Sequence, residues 1–135
     1  MAQTRIIICG ACGKMGGNVL SLLQNDENAI AVCGVDLYPK EIAIPVYTSF
    51  AEVKEEADVI IDFSHHSAVS AILPYAIARS IPVVIATTGH TDEEKALMKE
   101  ASEKIPVFHS ANMSLGVALL VELAKTAARA MPDAE

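Results

Sequence analysis

Short apolar runs alternate with amphipathic stretches along this chain, and the alternation predicts strands and helices in turn. Thr4 to Cys9 is a β-branched run that ends at glycine, the pattern of a buried first strand. Met15, Val19, Leu22 and Leu23 then fall at helical spacing and predict a helix over 15–23. Ala29 to Val35 predicts a second strand, closed by Asp36. Pro39 and Pro45 mark 37–47 as a loop. A short helix is expected from Ser49 to Glu56, with Thr48 or Ser49 as its cap.

The same alternation continues. Ala57 to Phe63 carries the contiguous Val59, Ile60 and Ile61 of a strand covered on both faces. Residues 67–79 predict a helix that Pro74 must kink or restart. Ile81 to Ala86 predicts strand four, and Thr91 opens a helix with Asp92, Glu93 and Glu94 in its first turn. Pro106 to His109 predicts strand five, and Leu115, Leu119, Leu123 and Ala127 place a last helix over 114–131. Neither repeats nor low-complexity stretches interrupt the pattern. It defines an α/β fold, a doubly wound parallel sheet of the Rossmann type in a single domain.

Composition sharpens this picture. Of the 135 residues 52% are apolar, yet Phe and Tyr contribute three each and Trp none, which suits aliphatic strands buried under helices. A net charge of -7 without a Lys/Arg cluster argues against nucleic acid as a partner. The longest uncharged run, Ile105 to Val121, contains Pro106, His109, Ser110, Asn112 and Ser114, which argues against a membrane span. Three cysteines make no disulfide framework, so a cytoplasmic location is expected.

Candidate chemistry begins at Gly10-Ala11-Cys12-Gly13-Lys14-Met15-Gly16, directly between the first strand and its helix. In such a G-x-x-G-x-x-G loop the first glycine makes the turn, the second lets backbone approach phosphate, and the third permits close helix packing. A pyrophosphate would rest on the N–H groups that open the helix. Asp36 lies 20 residues past Gly16 and can accept hydrogen bonds from ribose hydroxyls. Leu37 and Tyr38 follow it rather than Arg, favouring NADH over NADPH, while Lys14 is a nearby cation that admits NADPH. Cys9 and Cys12 form a C-x-x-C that small residues in a tight turn explain better than zinc or redox chemistry. His65 and His66 read as loop and helix-cap residues, and His90 and His109 have no obvious acid or metal partner. Three small or polar loops end strands at the ligand edge of the sheet. They are Asp62-Phe63-Ser64, Ala86-Thr87-Thr88-Gly89 and Ser110-Ala111-Asn112-Met113-Ser114.

Together G-A-C-G-K-M-G, D-F-S-H-H-S-A, V-V-I-A-T-T-G and S-A-N-M-S-L-G-V resemble the dihydrodipicolinate reductases of diaminopimelate and lysine biosynthesis, in order from about Arg5 to Val117. The resemblance implies reduction of the dihydrodipicolinate-type imine, drawn also as its hydrated form, with NADH or NADPH. It implies pyrophosphate on Gly10 through Gly16 and ribose on Asp36. Phe63 would line the cleft, Ala86, Thr87 and Thr88 would flank nicotinamide, and Ser110, Ala111, Asn112 and Met113 would complete its pocket.

Three departures stand out. Ala86 replaces a common family glycine, and Leu37 stands where NADPH-using members often carry Arg. The family's catalytic His-His pair with a following Lys, and its D-A-P-S-G-T-like substrate loop, do not occur. The resemblance therefore implies a dinucleotide-binding domain over 1–131. Residues 132–135 would start a linker to a substrate-binding, tetramer-forming region. Such a chain would bind cofactor without turnover and would not tetramerise by itself. A stand-alone nucleotide-sensing module and a CoA-binding domain remain the alternative readings of the residues.

Overall fold

The structure, a computed structural model, describes residues 2–110 together with 122–124, 126 and 129. Its strands are β1 (Thr4–Cys9), β2 (Ala29–Val35), β3 (Val46–Tyr47), β4 (Val59–Asp62), β5 (Val83–Ile85) and β6 (Val107–His109). The helices are α1 (Lys14–Leu23), α2 (Val69–Arg79) and α3 (Asp92–Ser102). All pairings are parallel and the order is β3-β2-β1-β4-β5-β6. The order reverses between β1 and β4, the switch point at which doubly wound sheets hold their ligands.

Alternation along β1 divides the core. Ile7 and Cys9 face the larger cluster with Ile60, Ile72, Val83, Ile85 and Met98, beneath α2 and α3. Ile6 and Ile8 face the other side with Ala11, Leu20 and Ala31, beneath α1. Burying one such aliphatic side chain contributes about 1.5–3 kcal/mol, so this two-sided row dominates the fold's stability. Helix α3 begins with a complete capping box. Thr91 Oγ1 accepts from the Glu94 N–H at 3.1 Å and Glu94 accepts from the Thr91 N–H at 2.9 Å.

Several sequence expectations need correction. The 37–47 loop includes β3, a two-residue edge strand held by Gly34 N–H to Pro45 carbonyl and Asp36 N–H to Tyr47 carbonyl. The helix expected from Ser49 to Glu56 shrinks to a single 3-10 turn over Phe50–Glu52, and Ser49 makes no side-chain cap. Its apolar residues number too few to stabilise a longer one. The helix of 67–79 is a 3-10 turn at His66–Ala68 leading into α2, which runs on through Pro74 without a second start. Pro74 lies on the exposed face, where water can satisfy the backbone carbonyl it leaves unpaired. The helix expected over 114–131 falls mainly outside the described residues. Within it 122–124, 126 and 129 are helical.

Candidate functional site

Strand β1 delivers the chain to Gly10 at φ +76°, a conformation that suits glycine. A Cβ there would lie 2.8 Å from the Phe63 carbonyl oxygen, so this glycine also lets the β4 exit pass under the loop. At Gly16 a Cβ would stand 2.1 Å from the Gly10 carbonyl oxygen, and only glycine lets α1 close onto the turn. Gly34, a residue the sequence reading passed over, does the same from β2. Its missing Cβ makes room for Ala11, whose own Cβ would otherwise be 2.5 Å away.

Gly13 is different. Its added Cβ meets only the Gly10 carbonyl, at 3.3 Å, and its φ of -81° is ordinary. The bare backbone at 13 therefore matters most to whatever approaches from outside. Gly13 is also the N-cap of α1 and offers no side chain to the first-turn N–H groups of Lys14 and Met15. That leaves a helix start with donors and dipole directed outward, as an anion requires. Lys14 and Met15 are exposed around it.

Asp36 borders this loop. Its Oδ2 accepts from the Cys12 N–H at 3.0 Å and its Oδ1 from the Tyr38 N–H at 2.9 Å. Each carboxylate oxygen keeps a lone pair for a further donor. The Cys12 sulfur accepts from the Lys40 backbone N–H at 3.3 Å. Burial pushes the Cys9 thiol well above its ordinary value, which disfavours the thiolate needed for metal or redox chemistry.

Two cavities flank the loop. One of about 410 Å³ is lined by Asp36, Leu37, Phe50, His65, Ala68 and Ile72, and is mainly apolar. The other, about 270 Å³, lies among Met15, Phe63, Ser64, His66, Ala86 and Thr88. A hollow of about 600 Å³ between α2 and α3 lies on the helical face, away from the strand ends.

The structure places Asp36 on the first cavity and Met15, Phe63 and Ala86 to Thr88 on the second, while Gly10 of the turn packs against the β4 exit. Ser110 follows β6 and donates its N–H to the Ile85 carbonyl at 3.2 Å. Ala111, Asn112 and Met113 lie outside the described residues.

Below the second cavity is a polar cluster that the sequence reading missed. Asp62 is fully buried, and its Oδ1 accepts from the N–H of Ser64 at 2.9 Å and from the Ser64 hydroxyl. Thr87, itself buried, sends its hydroxyl to Asp62 Oδ2 at 3.5 Å and lies 3.0 Å from His90 Nε2. Burial pushes the Asp62 carboxyl above its ordinary value, against the pull of the Ser64 bonds. Burial likewise holds the His90 imidazole low, and His109 adds to it, its ring edge-on at 4.9 Å between centroids. His90 thus pairs with the Thr87 hydroxyl and the His109 ring, neither of them an acid or a metal. His65 accepts from the Ser67 N–H as a cap, and His66 Nδ1 lies 2.8 Å from Glu94 Oε2. Within Glu94, desolvation pushes the carboxyl up, but the Thr91 N–H and His66 outweigh it and bring it below its ordinary value.

The strand order and the bare glycine turn define a nucleotide-binding domain of the Rossmann type. The family described as dihydrodipicolinate reductase, N-terminus, matches residues 4–113, and the chain belongs to it. It is 49% identical over 127 residues to the 4-hydroxy-tetrahydrodipicolinate reductase of Caldanaerobacter subterraneus subsp. tengcongensis, covering 94% of this chain and 51% of the relative. The Clostridium novyi enzyme of the same name is 37% identical, with 91% and 49% covered. The structure of dipicolinate-bound dihydrodipicolinate reductase from Paenisporosarcina sp. TG-14 superposes with a TM-score of 0.77 at 25% identity, over 94% of this chain and 54% of that one. The chain spans about half the length of these proteins.

Proposed function

We propose that the chain is the dinucleotide-binding half of an enzyme that reduces 4-hydroxy-tetrahydrodipicolinate to tetrahydrodipicolinate in diaminopimelate and lysine biosynthesis. The observation that carries the reading is the turn from Gly10 to Gly16, closed to protein side chains at 10 and 16 and open to a ligand at 13. The fit is good. Pyrophosphate lies against the uncapped start of α1, with Lys14 beside it. Asp36 takes the adenosine ribose hydroxyls, and the apolar cavity by Leu37 and Phe50 takes the adenine. The nicotinamide end enters the cavity by Phe63 and Ala86 to Thr88. When bound, the cofactor supplies hydride from nicotinamide C4, and a general acid outside these 135 residues protonates the product.

NADH is the preferred cofactor, because the Asp36 carboxylate repels a 2′-phosphate. Lys14 moderates that preference and keeps NADPH as a ligand. Substrate binding and tetramer formation are assigned to the half of the relatives' length that this chain does not cover. The cytoplasm is the fitting location. Cys9, Cys12 and Cys33 are free thiols, and among the described residues no helix is long and apolar enough to cross a membrane.

Calorimetric titration of the 135-residue chain with NADH and NADPH, beside an assay for substrate reduction, tests the reading. NADH is expected to bind more tightly than NADPH, without turnover. Absence of binding to either nucleotide would overturn it, and steady turnover would refute the division of labour.

A further inference from the structure

We propose that Thr87 and His90, anchored on the buried carboxylate of Asp62, are positioning residues that hold the 86–88 loop in register for the nicotinamide end of the cofactor. The proposal rests on the dinucleotide-binding reading above and goes beyond it. It assigns a role to the hydroxyl of Thr87, which lines the cavity but is bonded inward, and to His90, which does not line it.

Donor counting fixes the direction of the chain. Asp62 Oδ1 already accepts twice from Ser64, through N–H and hydroxyl, so the remaining oxygen is the acceptor for Thr87. A threonine hydroxyl carries one hydrogen. With that hydrogen given to Asp62, Thr87 Oγ1 faces His90 Nε2 as an acceptor, an arrangement that calls for the Nε2–H tautomer of His90. The order is therefore His90 Nε2–H to Thr87 Oγ1–H to Asp62 Oδ2. Among the described residues no buried side-chain nitrogen or oxygen is left without a partner.

This chain ties separate strand exits together. Asp62 ends β4 and Thr87 follows β5, while His90 sits just before the capping box of α3. A backbone bond from the Ala86 N–H to the Asp62 carbonyl, at 3.0 Å, runs alongside. His109, the last residue of β6, closes edge-on against His90. Ala86, Thr87 and Thr88 all line the cavity, while the Thr87 hydroxyl is committed inward. Such a network favours one loop conformation, because any other leaves Asp62 Oδ2 and His90 Nε2 without the Thr87 hydroxyl.

The apolar cavity beside Asp36 shares none of these three residues. The two halves of the cofactor can therefore be tested apart. ADP-ribose reports the adenosine and pyrophosphate end, and NADH reports both ends.

Four variants of the 135-residue chain, Thr87→Val, Thr87→Ser, His90→Phe and His90→Gln, are titrated with ADP-ribose and with NADH. Thr87→Val and His90→Phe are expected to weaken NADH by about tenfold, the scale of one lost buried hydrogen bond. ADP-ribose affinity should stay within about twofold, since neither Thr87 nor His90 lines the cavity at that end. Thr87→Ser and His90→Gln keep a hydroxyl and an N–H donor and are expected to restore NADH binding.

Unchanged NADH affinity in Thr87→Val and His90→Phe would overturn the proposal. Proportional loss of both ligands would overturn it too, as the mark of general unfolding. If the unaltered chain bound neither ligand, the dinucleotide reading itself would fall, and that failure is distinct from these two.

Discussion

The turn after β1 and the cluster behind β4 and β5 serve one groove by opposite means. The first is built by removing side chains. Glycine at 10 and 16 lets backbone pass within contact of backbone, and glycine at 13 leaves the rim open. The second is built by inserting polar side chains into a buried place and satisfying each of them, with Asp62 at its centre. Steric sites fail abruptly, since a Cβ 2.1 Å from a carbonyl oxygen has nowhere to go. Polar sites fail by degrees, because a partner can be exchanged for another donor. That contrast orders the expected effects of substitution.

The largest effect is expected at Gly16. Gly16→Ala drives a methyl group into the Gly10 carbonyl and the Ala11 Cα, at 2.1 and 2.8 Å. Overpacking of this kind costs about 1–3 kcal/mol, or a fall of roughly 5–15 °C in Tm. Because the turn itself must move, NADH binding in a calorimetric titration should be lost as well. A Gly16→Ala chain that melts and binds like the parent would show that the turn is not sterically closed.

The same contrast explains what was legible in the sequence. Backbone requirements write themselves as glycine at fixed spacing, so the turn from Gly10 to Gly16 could be read directly. Strands β1 and β2 could be read to the residue, because β-branched runs between turn residues leave little choice. Strand β3 could not be read, as two residues between Pro45 and Thr48 carry no periodicity. Gly34 escaped notice because Ala11, the side chain that needs its space, is distant in sequence. Asp62 looked like one more polar residue in a strand-end loop. Its burial depends on Ser64, Thr87 and the packing of three strands, which no local pattern records. His90 and His109 were passed over for the same reason, since their partners are each other and Thr87.

Next in size is the acid at the end of β2. Asp36→Asn keeps the shape but weakens acceptance from the Cys12 and Tyr38 N–H groups and from a ribose. Loss of a charge-assisted bond of this type corresponds to about 10- to 100-fold in affinity. NADH should lose most of that and NADPH less, so the ratio of their dissociation constants moves toward NADPH. A parent chain that already prefers NADPH would contradict the role given to Asp36.

Acid titration probes the polar cluster more gently. The folded protein holds His90 below its ordinary pKa of 6.5, because burial and His109 disfavour the imidazolium. A depressed pKa means that the unfolded chain takes the proton first. The stability tied to neutral His90 is thus complete above about pH 6.5 and is lost as the pH falls through the folded value. Asp62 acts oppositely, since its raised pKa favours protonation in the fold, in a window that runs upward from 3.8. Tm recorded from pH 8 downward should therefore begin to fall near pH 6.5, and His90→Gln should remove that part of the slope. A slope unchanged in His90→Gln would assign the titration to another group.

The smallest expected effect lies one residue beyond the steric limit. Gly17 is inside α1, its φ is not in the left-handed region, and a Cβ built there meets nothing within 4 Å. It differs from Gly16 only in the direction it faces. Glycine inside a helix costs about 0.5–1 kcal/mol relative to alanine, so Gly17→Ala should raise Tm by roughly 2–6 °C. NADH affinity should stay within about twofold, because the first-turn N–H groups keep their geometry. A destabilised Gly17→Ala would mean that this glycine, like Gly16, answers to a close approach. The boundary between helix packing and ligand rim would then have to be drawn one residue later.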